Sequence, residues 1–130
     1  MSEKTSKLFK IAVEMGVHVD IKPGPFYITG MPGVFAAAAF NPEKREIYIS
    51  GSLDDRQFDE ALAHEIGHAQ QYDELVDVLS FYSTDPVTYF KYEMDACDRG
   101  EKMGIDMSEN RRINYNGYAE HLGLFEMGLA

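Results

Sequence analysis

The spacing of apolar side chains divides the first half of the chain into one helix and several extended segments. Apolar residues between positions 3 and 15 recur with a helical period that ends at Gly16, which predicts an amphipathic first helix. Val17, Val19 and Ile21 then alternate with polar residues, as in a half-buried strand. Further strands are expected over residues 26–29, 34–40 and 46–50, with turn-forming sequences between them.

The second half of the chain shows helical periodicity throughout. An apolar stripe predicts a helix over about residues 54–72, and it consists of Phe58, Leu62, Ile66 and Ala69. Another helix is expected from about residue 85 to 103, where Gly104 ends it, and a last helical segment follows Ser108. An N-terminal helix, a small antiparallel sheet containing a 36–40/46–50 hairpin, and then helices predict a single α+β domain over residues 1–130.

The charge and cysteine content of the chain exclude some classes of binding partner. The 130 residues carry 22 acidic and 12 basic side chains, a formal net charge of −10. Such a surface repels phosphate groups, so neither nucleic acid nor an anionic membrane is an expected partner. The single Cys97 excludes an internal disulfide and fits a reducing compartment. Because no long apolar segment follows the basic N-terminal residues, we expect no signal peptide, no membrane span and a cytoplasmic location.

The string His-Glu-Ile-Gly-His at residues 64–68 carries the strongest chemical signal in the chain. On a helix, residues i and i+4 lie on one face, so His64 and His68 can direct their imidazoles to one point. Two such nitrogens suit a zinc ion, and the adjacent Glu65 can take a proton from a water held by the metal. The alternative is a solvated helix face that happens to carry these residues.

A catalytic zinc site usually has three protein ligands, and Glu93 on the next long helix is the best third candidate. Its helix face continues through the small residues Ala96, Cys97 and Gly100, which allow a close approach to the motif helix. The alternative is that Glu93 is an ordinary solvated carboxylate.

These two motifs resemble a known family. His64 to Gln71 (HEIGHAQQ), followed by Glu93 to Ala96 (EMDA), is similar to the bacterial neutral zinc metallopeptidases, and more broadly to a minimal gluzincin such as the ImmA/IrrE-type peptidases. The similarity covers roughly residues 40–100. It implies a zincin-like domain in which the motif helix packs against the Glu-bearing helix. It also implies zinc bound by His64, His68 and Glu93, with Glu65 as catalytic base.

One position departs from the family pattern. Many gluzincins have an aspartate four residues after the ligand glutamate, where it can orient a metal-bound histidine, and here that position is Cys97. Since a thiol is a poor acceptor, the orienting group is expected to be Asp59, Asp95, Asp98 or a backbone carbonyl. Cys97 itself is expected to be a small buried residue.

The remaining candidates are less specific. Metallopeptidases often use a side chain that donates a hydrogen bond to the oxyanion of the reaction, and Tyr115, Tyr118 and His121 are the candidates here. His18 lies on the polar side of its predicted strand and is expected at the surface.

The sequence therefore predicts an enzyme, a zinc metallopeptidase that cleaves short peptides or flexible protein segments. An edge strand from 34–40 or 46–50 would hold the substrate backbone. The alternative is a non-catalytic zincin-fold protein that acts in binding or regulation, with a structural or vestigial metal site.

Overall fold

Four helices and two small sheets make up the part of the protein that the structure describes. The computed structural model describes residues 1–23, 26–27, 35–74 and 86–121, without the side chains of 26–27, 35–36, 86–89 and 117–121. The helices are α1 (Glu3–Glu14), α2 (Asp55–Glu74), α3 (Pro86–Lys102) and α4 (Ser108–His121). The strands are β1 (His18–Lys22), β2 (Phe26–Tyr27), β3 (Phe35–Ala36), β4 (Ala38–Asn41) and β5 (Glu46–Ser50). The expected α+β class is confirmed at this level.

Helix α1 follows its sequence pattern closely. The Ser2 hydroxyl accepts a hydrogen bond from the backbone N–H of Thr5 at 3.1 Å and so caps the helix start. Leu8 and Ala12 are buried on the inner face. Gly16 follows the helix with a φ of 69°, a left-handed conformation that glycine adopts without steric cost.

The three-stranded sheet is mixed, with β5 in its centre and β1 and β4 on either side. β4 runs antiparallel to β5, with Ala38 opposite Ile49, so the predicted hairpin is confirmed. β1 runs parallel to β5, with His18 opposite Glu46, and the prediction of a purely antiparallel sheet was therefore wrong. The alternation of apolar residues marks a strand without specifying its neighbour. Residues 23–45 give the chain enough length to return to the end of the sheet where β1 began, as a parallel pair requires.

The segment predicted as one strand over 34–40 is divided in the structure. Its first part, β3, pairs antiparallel with β2, while its second part, β4, joins β5. The chain bends between them at Ala37, whose carbonyl still accepts the N–H of Ser50 at 2.9 Å. The expected strand over 26–29 is described only at Phe26–Tyr27, and residues 28–34 lie outside the described part.

Helix α2 is central, since it contacts α1, β4, β5 and α3. It begins with a reciprocal cap, in which the Asp54 carboxylate accepts the N–H of Gln57 at 2.8 Å and the Gln57 side chain accepts the N–H of Asp54 at 3.2 Å. Leu62, Ile66 and Ala69 from the predicted stripe have no exposed surface. Among the described residues, no helix is both long and apolar enough to span a membrane.

Helices α3 and α4 agree with the sequence pattern. α3 ends at Lys102, and Gly104 follows with a φ of 91°. The Asp106 carboxylate then accepts hydrogen bonds from the N–H and the hydroxyl of Ser108, which starts α4. α4 continues through Gly117 as far as His121.

Helices α2 and α3 approach each other closely at Gly67 and Ala96. A Cβ atom added at Gly67 would lie 2.8 Å from the carbonyl oxygen of Ala96 and 3.0 Å from its Cα. Both Ala96 and its neighbour Cys97 are fully buried. A larger side chain at position 67 or 96 would therefore separate the two helices, whereas Gly100, which was also expected on this contact, lies against Met107 instead.

We predict that Ala96→Leu lowers the free energy of unfolding by about 1–3 kcal/mol, because leucine overpacks the contact. Gly67→Ala should also destabilise the protein, although this change usually stabilises a helix by about 0.5–1 kcal/mol. Lys91→Leu, at an exposed position of α3, is the matched control and should be nearly neutral. Denaturant unfolding measures all three. Wild-type stability of Ala96→Leu and Gly67→Ala would contradict the helix contact.

Candidate metal centre

The motif residues lie on the part of α2 that faces α3. His64 and Glu65 are buried, with 5% and 9% of their surface exposed, and His68 is half-buried. One possible ligand atom from each of the three lies within 4.8 Å of the others. The two imidazole rings meet edge to face, with their centroids 4.7 Å apart. The helical i, i+4 spacing thus brings both rings to one place, as the sequence predicts.

The Glu93 carboxylate from α3 reaches both histidines. Its Oε2 lies 2.9 Å from Nε2 of His64, and its Oε1 lies 3.2 Å from Nε2 of His68. The two Nε2 atoms are themselves 3.0 Å apart. Glu93 is only 9% exposed, so the interpretation of this residue as a solvated surface carboxylate was wrong.

These separations fit a small metal ion. Ligand atoms that each lie about 2.0–2.1 Å from a tetrahedral zinc ion are about 3.3 Å apart. The two Nε2 atoms are 3.0 Å apart and lie 2.9 and 3.2 Å from different oxygens of Glu93, Oε2 and Oε1, so these separations fall slightly below that value, as expected of hydrogen bonds. Two imidazoles and one carboxylate are also a donor set that zinc accepts, with a fourth position left for water or substrate. The residues therefore fit a zinc ion.

Without a metal, the side chains of His64, His68 and Glu93 form a buried cluster in which Glu93 is paired with His68. Burial alone would lower the pKa of His68, but the charges of Glu93 and Glu65 and the hydrogen bonds to Glu93 and Gln71 raise it to about 9. Burial would likewise raise the pKa of Glu93, but His68 and His64 hold it well below its usual range. A proton on the imidazole thus occupies the position that a cation would take.

Gln71 orients His68. The Nδ1 of His68 lies 2.9 Å from Oε1 of Gln71, and Nε2 of Gln71 donates to the Tyr92 carbonyl at 2.8 Å and to the Asp95 carboxylate at 2.9 Å. Because a carbonyl can only accept, the amide nitrogen must lie on that side, and Oε1 must face the histidine. Nδ1 of His68 therefore carries a proton, and its Nε2 is directed to the site.

The expected orienting groups were only partly correct. Asp95 contacts His68 only indirectly, because its carboxylate accepts a hydrogen bond from Gln71. Asp59 instead accepts a hydrogen bond from the Thr5 hydroxyl, and Asp98 forms an ion pair with Arg111. Sequence reasoning missed Gln71, although its position three residues after His68 on the same helix face was a usable signal.

Cys97 lies behind His64, at the position where the family pattern has an aspartate. Its Sγ is 3.4 Å from Nδ1 of His64 and donates to Oδ1 of Asn110 at 3.3 Å. Burial raises the pKa of Cys97 to about 12, so the sulfur is a neutral thiol. The expectation that Cys97 is a buried small residue is confirmed.

Glu65 stands beside the converging atoms and makes no hydrogen bond with the described residues. Since no fully buried side-chain oxygen in the described part lacks a partner, its carboxylate faces space that solvent can reach. Burial raises the pKa of Glu65, while the charges of His68 and His64 oppose this shift. A buried carboxylate with a raised pKa is suited to exchange protons with a nearby water.

The candidates for oxyanion stabilisation all lie on α4. The ring of Tyr115 contacts that of Phe90, with centroids 5.7 Å apart, and Phe90 precedes Glu93 by one helical turn. The side chains of Tyr118 and His121 lie outside the described part, so their roles stay predictions. His18 is exposed on β1, as expected.

Comparison with models of known protein families, with curated proteins and with solved structures finds no match.

We predict that the metal-free protein loses stability as the pH rises from about 6.5 to about 9. The pKa of His68 is higher in the folded protein (about 9) than in the unfolded chain (6.5), so the pair with Glu93 stabilises the fold fully below 6.5. That contribution disappears as the pH passes through the folded-state value. Denaturant unfolding of chelator-treated protein across this range measures it.

Glu93→Gln is the matched variant for this measurement, because it keeps the shape of the side chain and removes its charge. The decrease in stability over the same pH range should be smaller in Glu93→Gln. Equal decreases in both proteins would mean that another group causes the pH dependence.

Proposed function

We propose that the protein is a zinc-dependent peptidase with a minimal gluzincin-like site. The observation that carries the proposal is the convergence of two Nε2 atoms and a carboxylate from a second helix within 3.2 Å, with Glu65 adjacent. The resemblance of the two motifs to bacterial neutral zinc metallopeptidases supports the same assignment. His64, His68 and Glu93 would hold the ion.

Zinc bound in such a site supplies a positive charge that polarises a substrate carbonyl and favours deprotonation of water. The protein side chains supply the rest of the chemistry. Glu65 accepts the proton of the attacking water on its carboxylate and then passes it to the leaving amine. Burial raises the pKa of Glu65, which suits its carboxylate to hold the proton between the two transfers.

Strand β4 provides a place for an extended substrate. Among the described strands it lies at one edge of its sheet, whereas β5, the other strand considered from sequence, lies in the centre. The Ala37 carbonyl accepts the backbone N–H of Ser50 in β5. Because the backbone groups of successive residues in an antiparallel strand point alternately toward and away from the neighbouring strand, those of Ala38 and Phe40 point away from β5. A substrate backbone can pair with these groups as an added strand.

The contact of β4 with α2 supports this choice of edge. The ring of Phe40 meets the ring of Tyr72 edge to face, with centroids 5.6 Å apart, and Tyr72 follows His68 by one helical turn. Strand addition requires an extended peptide, so flexible segments and short peptides are the proposed substrates. Folded proteins are not.

We predict about one zinc ion per chain. His64→Ala and Glu93→Ala should each lose the ion or bind it much more weakly, because each removes one of three ligands. His18→Ala, at an exposed histidine, is the matched control and should retain full occupancy. Elemental analysis of purified, dialysed protein measures this. Full zinc occupancy in Glu93→Ala would exclude Glu93 as a ligand.

We predict that Glu65→Gln keeps its zinc and its stability but loses hydrolysis by at least about 10²–10⁴-fold, the usual effect of removing a general base. Asp55→Asn, at an exposed carboxylate at the start of α2, should retain activity. Turnover of peptides from a library, followed by mass spectrometry, measures both variants. Unchanged turnover in Glu65→Gln would refute the catalytic assignment, and zinc binding without turnover by the wild type would favour a non-catalytic binding protein.

A further inference from the structure

A chain of side chains leads from His64 into the last helix, α4. Cys97 Sγ lies 3.4 Å from Nδ1 of His64 and 3.3 Å from Oδ1 of Asn110. The Asn114 amide, one turn further along α4, donates to Oδ1 of Asn110 at 2.9 Å and to the Asn110 backbone carbonyl at 2.7 Å. Two residues from α4 and one from α3 thus stand behind one imidazole of the site.

The direction of every hydrogen bond in this chain is fixed from its far end. The Asn110 backbone carbonyl can only accept, so Asn114 must present its amide nitrogen there. That same nitrogen is close to the Asn110 side chain, which must therefore present its oxygen. The thiol proton of Cys97 points to this oxygen, and the sulfur can then only accept from His64. Nδ1 of His64 therefore carries a proton, and its Nε2 faces the site, where it lies 2.9 Å from Oε2 of Glu93.

We propose that Cys97 and Asn110 are positioning residues that hold His64 in the Nδ1-protonated form with Nε2 directed at the metal position. The inference rests on the metal site of the proposed function, and it assigns a role to Cys97, which stands where an aspartate would otherwise be expected, and to Asn110, which accepts the thiol proton. His68 has an equivalent arrangement through Gln71, which also ends on a backbone carbonyl. Both imidazoles are thus oriented by neutral groups.

The start of α4 is itself held in place by α2. The backbone N–H of Asn110 donates to the carboxylate of Glu60 at 3.2 Å, and Glu60 is 4% exposed. A carboxylate at the first turn of a helix is favourable because unpaired N–H groups and the helix dipole meet there. Glu60 lies one turn before His64 on α2. The helix that carries His64 therefore also fixes the residue that orients His64 from behind.

The test measures zinc affinity by competition with a chromogenic chelator. Cys97→Ala removes the acceptor for Nδ1 of His64 and should weaken zinc binding by about 10–100-fold, the range found when a group that orients a metal ligand is lost. Cys97→Ser can still accept from His64 and donate to Asn110, so its affinity should stay within about threefold of wild type. Serine is no larger than cysteine. Recovery of zinc affinity in Cys97→Ser would therefore be due to the hydrogen bonds of the side chain and not to its volume.

Asn110 provides a second pair of variants, in case Cys97→Ala fails to fold. Asn110→Ala should weaken zinc binding in the same range, whereas Asn110→Asp keeps an acceptor oxygen and should stay close to wild type. Asn116→Ala, at an exposed asparagine of α4, is the matched control and should be unchanged. Unfolding of the metal-free variants is measured in parallel, so that a loss of stability is not taken for a loss of zinc affinity.

NMR of the zinc-loaded protein gives a direct readout. A slowly exchanging Nδ1 proton on His64 is expected in wild type and in Cys97→Ser, and rapid exchange or loss of this signal is expected in Cys97→Ala. Equal affinity and an equal signal in wild type and Cys97→Ala would overturn the positioning role while leaving the metal site intact. A wild type that binds no zinc would overturn the metal site and this inference together.

Discussion

The candidate site depends on the close packing of α2 against α3 at Gly67 and Ala96. A missing Cβ on one helix and a methyl group on the other let the backbones approach to contact distance. Only at that distance can the Glu93 carboxylate reach both imidazoles of a neighbouring helix. The small residues are therefore as important to the site as the residues that would bind the ion, although they have no chemistry of their own.

This packing creates an electrostatic problem that the surrounding residues resolve. Three ionisable side chains share a region of low solvent access, where an unpaired charge is costly. In the metal-free state, the imidazolium of His68 neutralises Glu93, and the pKa values of both groups shift accordingly. A divalent cation would take over that role and would release the proton, so the same geometry serves both states.

Among the described residues, neutral side chains contact Nδ1 of both imidazoles. Gln71 and Cys97 are neutral. The series of hydrogen bonds that includes Gln71 ends on the carbonyl of Tyr92, and the series that includes Cys97 ends on the carbonyl of Asn110. Asp95 and Glu60 stand one step further out and hold these neutral groups in position. Glu93 is the carboxylate that contacts both imidazoles, Glu65 lies beside them, and both have a chemical role in the proposed reaction.

The sequence alone determined the helices, most of the strands and the shared helix face of His64 and His68, because these follow from short-range periodicity, but it did not predict the division of residues 34–40 between two sheets. It also predicted Glu93 from the small residues that share its helix face. The parallel pairing of β1 with β5 and the orienting roles of Gln71 and Cys97 were decided by tertiary structure. They depend on which distant elements become neighbours, and a thiol that is a poor acceptor in isolation becomes useful once Asn110 of another helix fixes the direction of its proton. No local pattern in the chain encodes the pairing of β1 with β5 or the contact of Cys97 with Asn110.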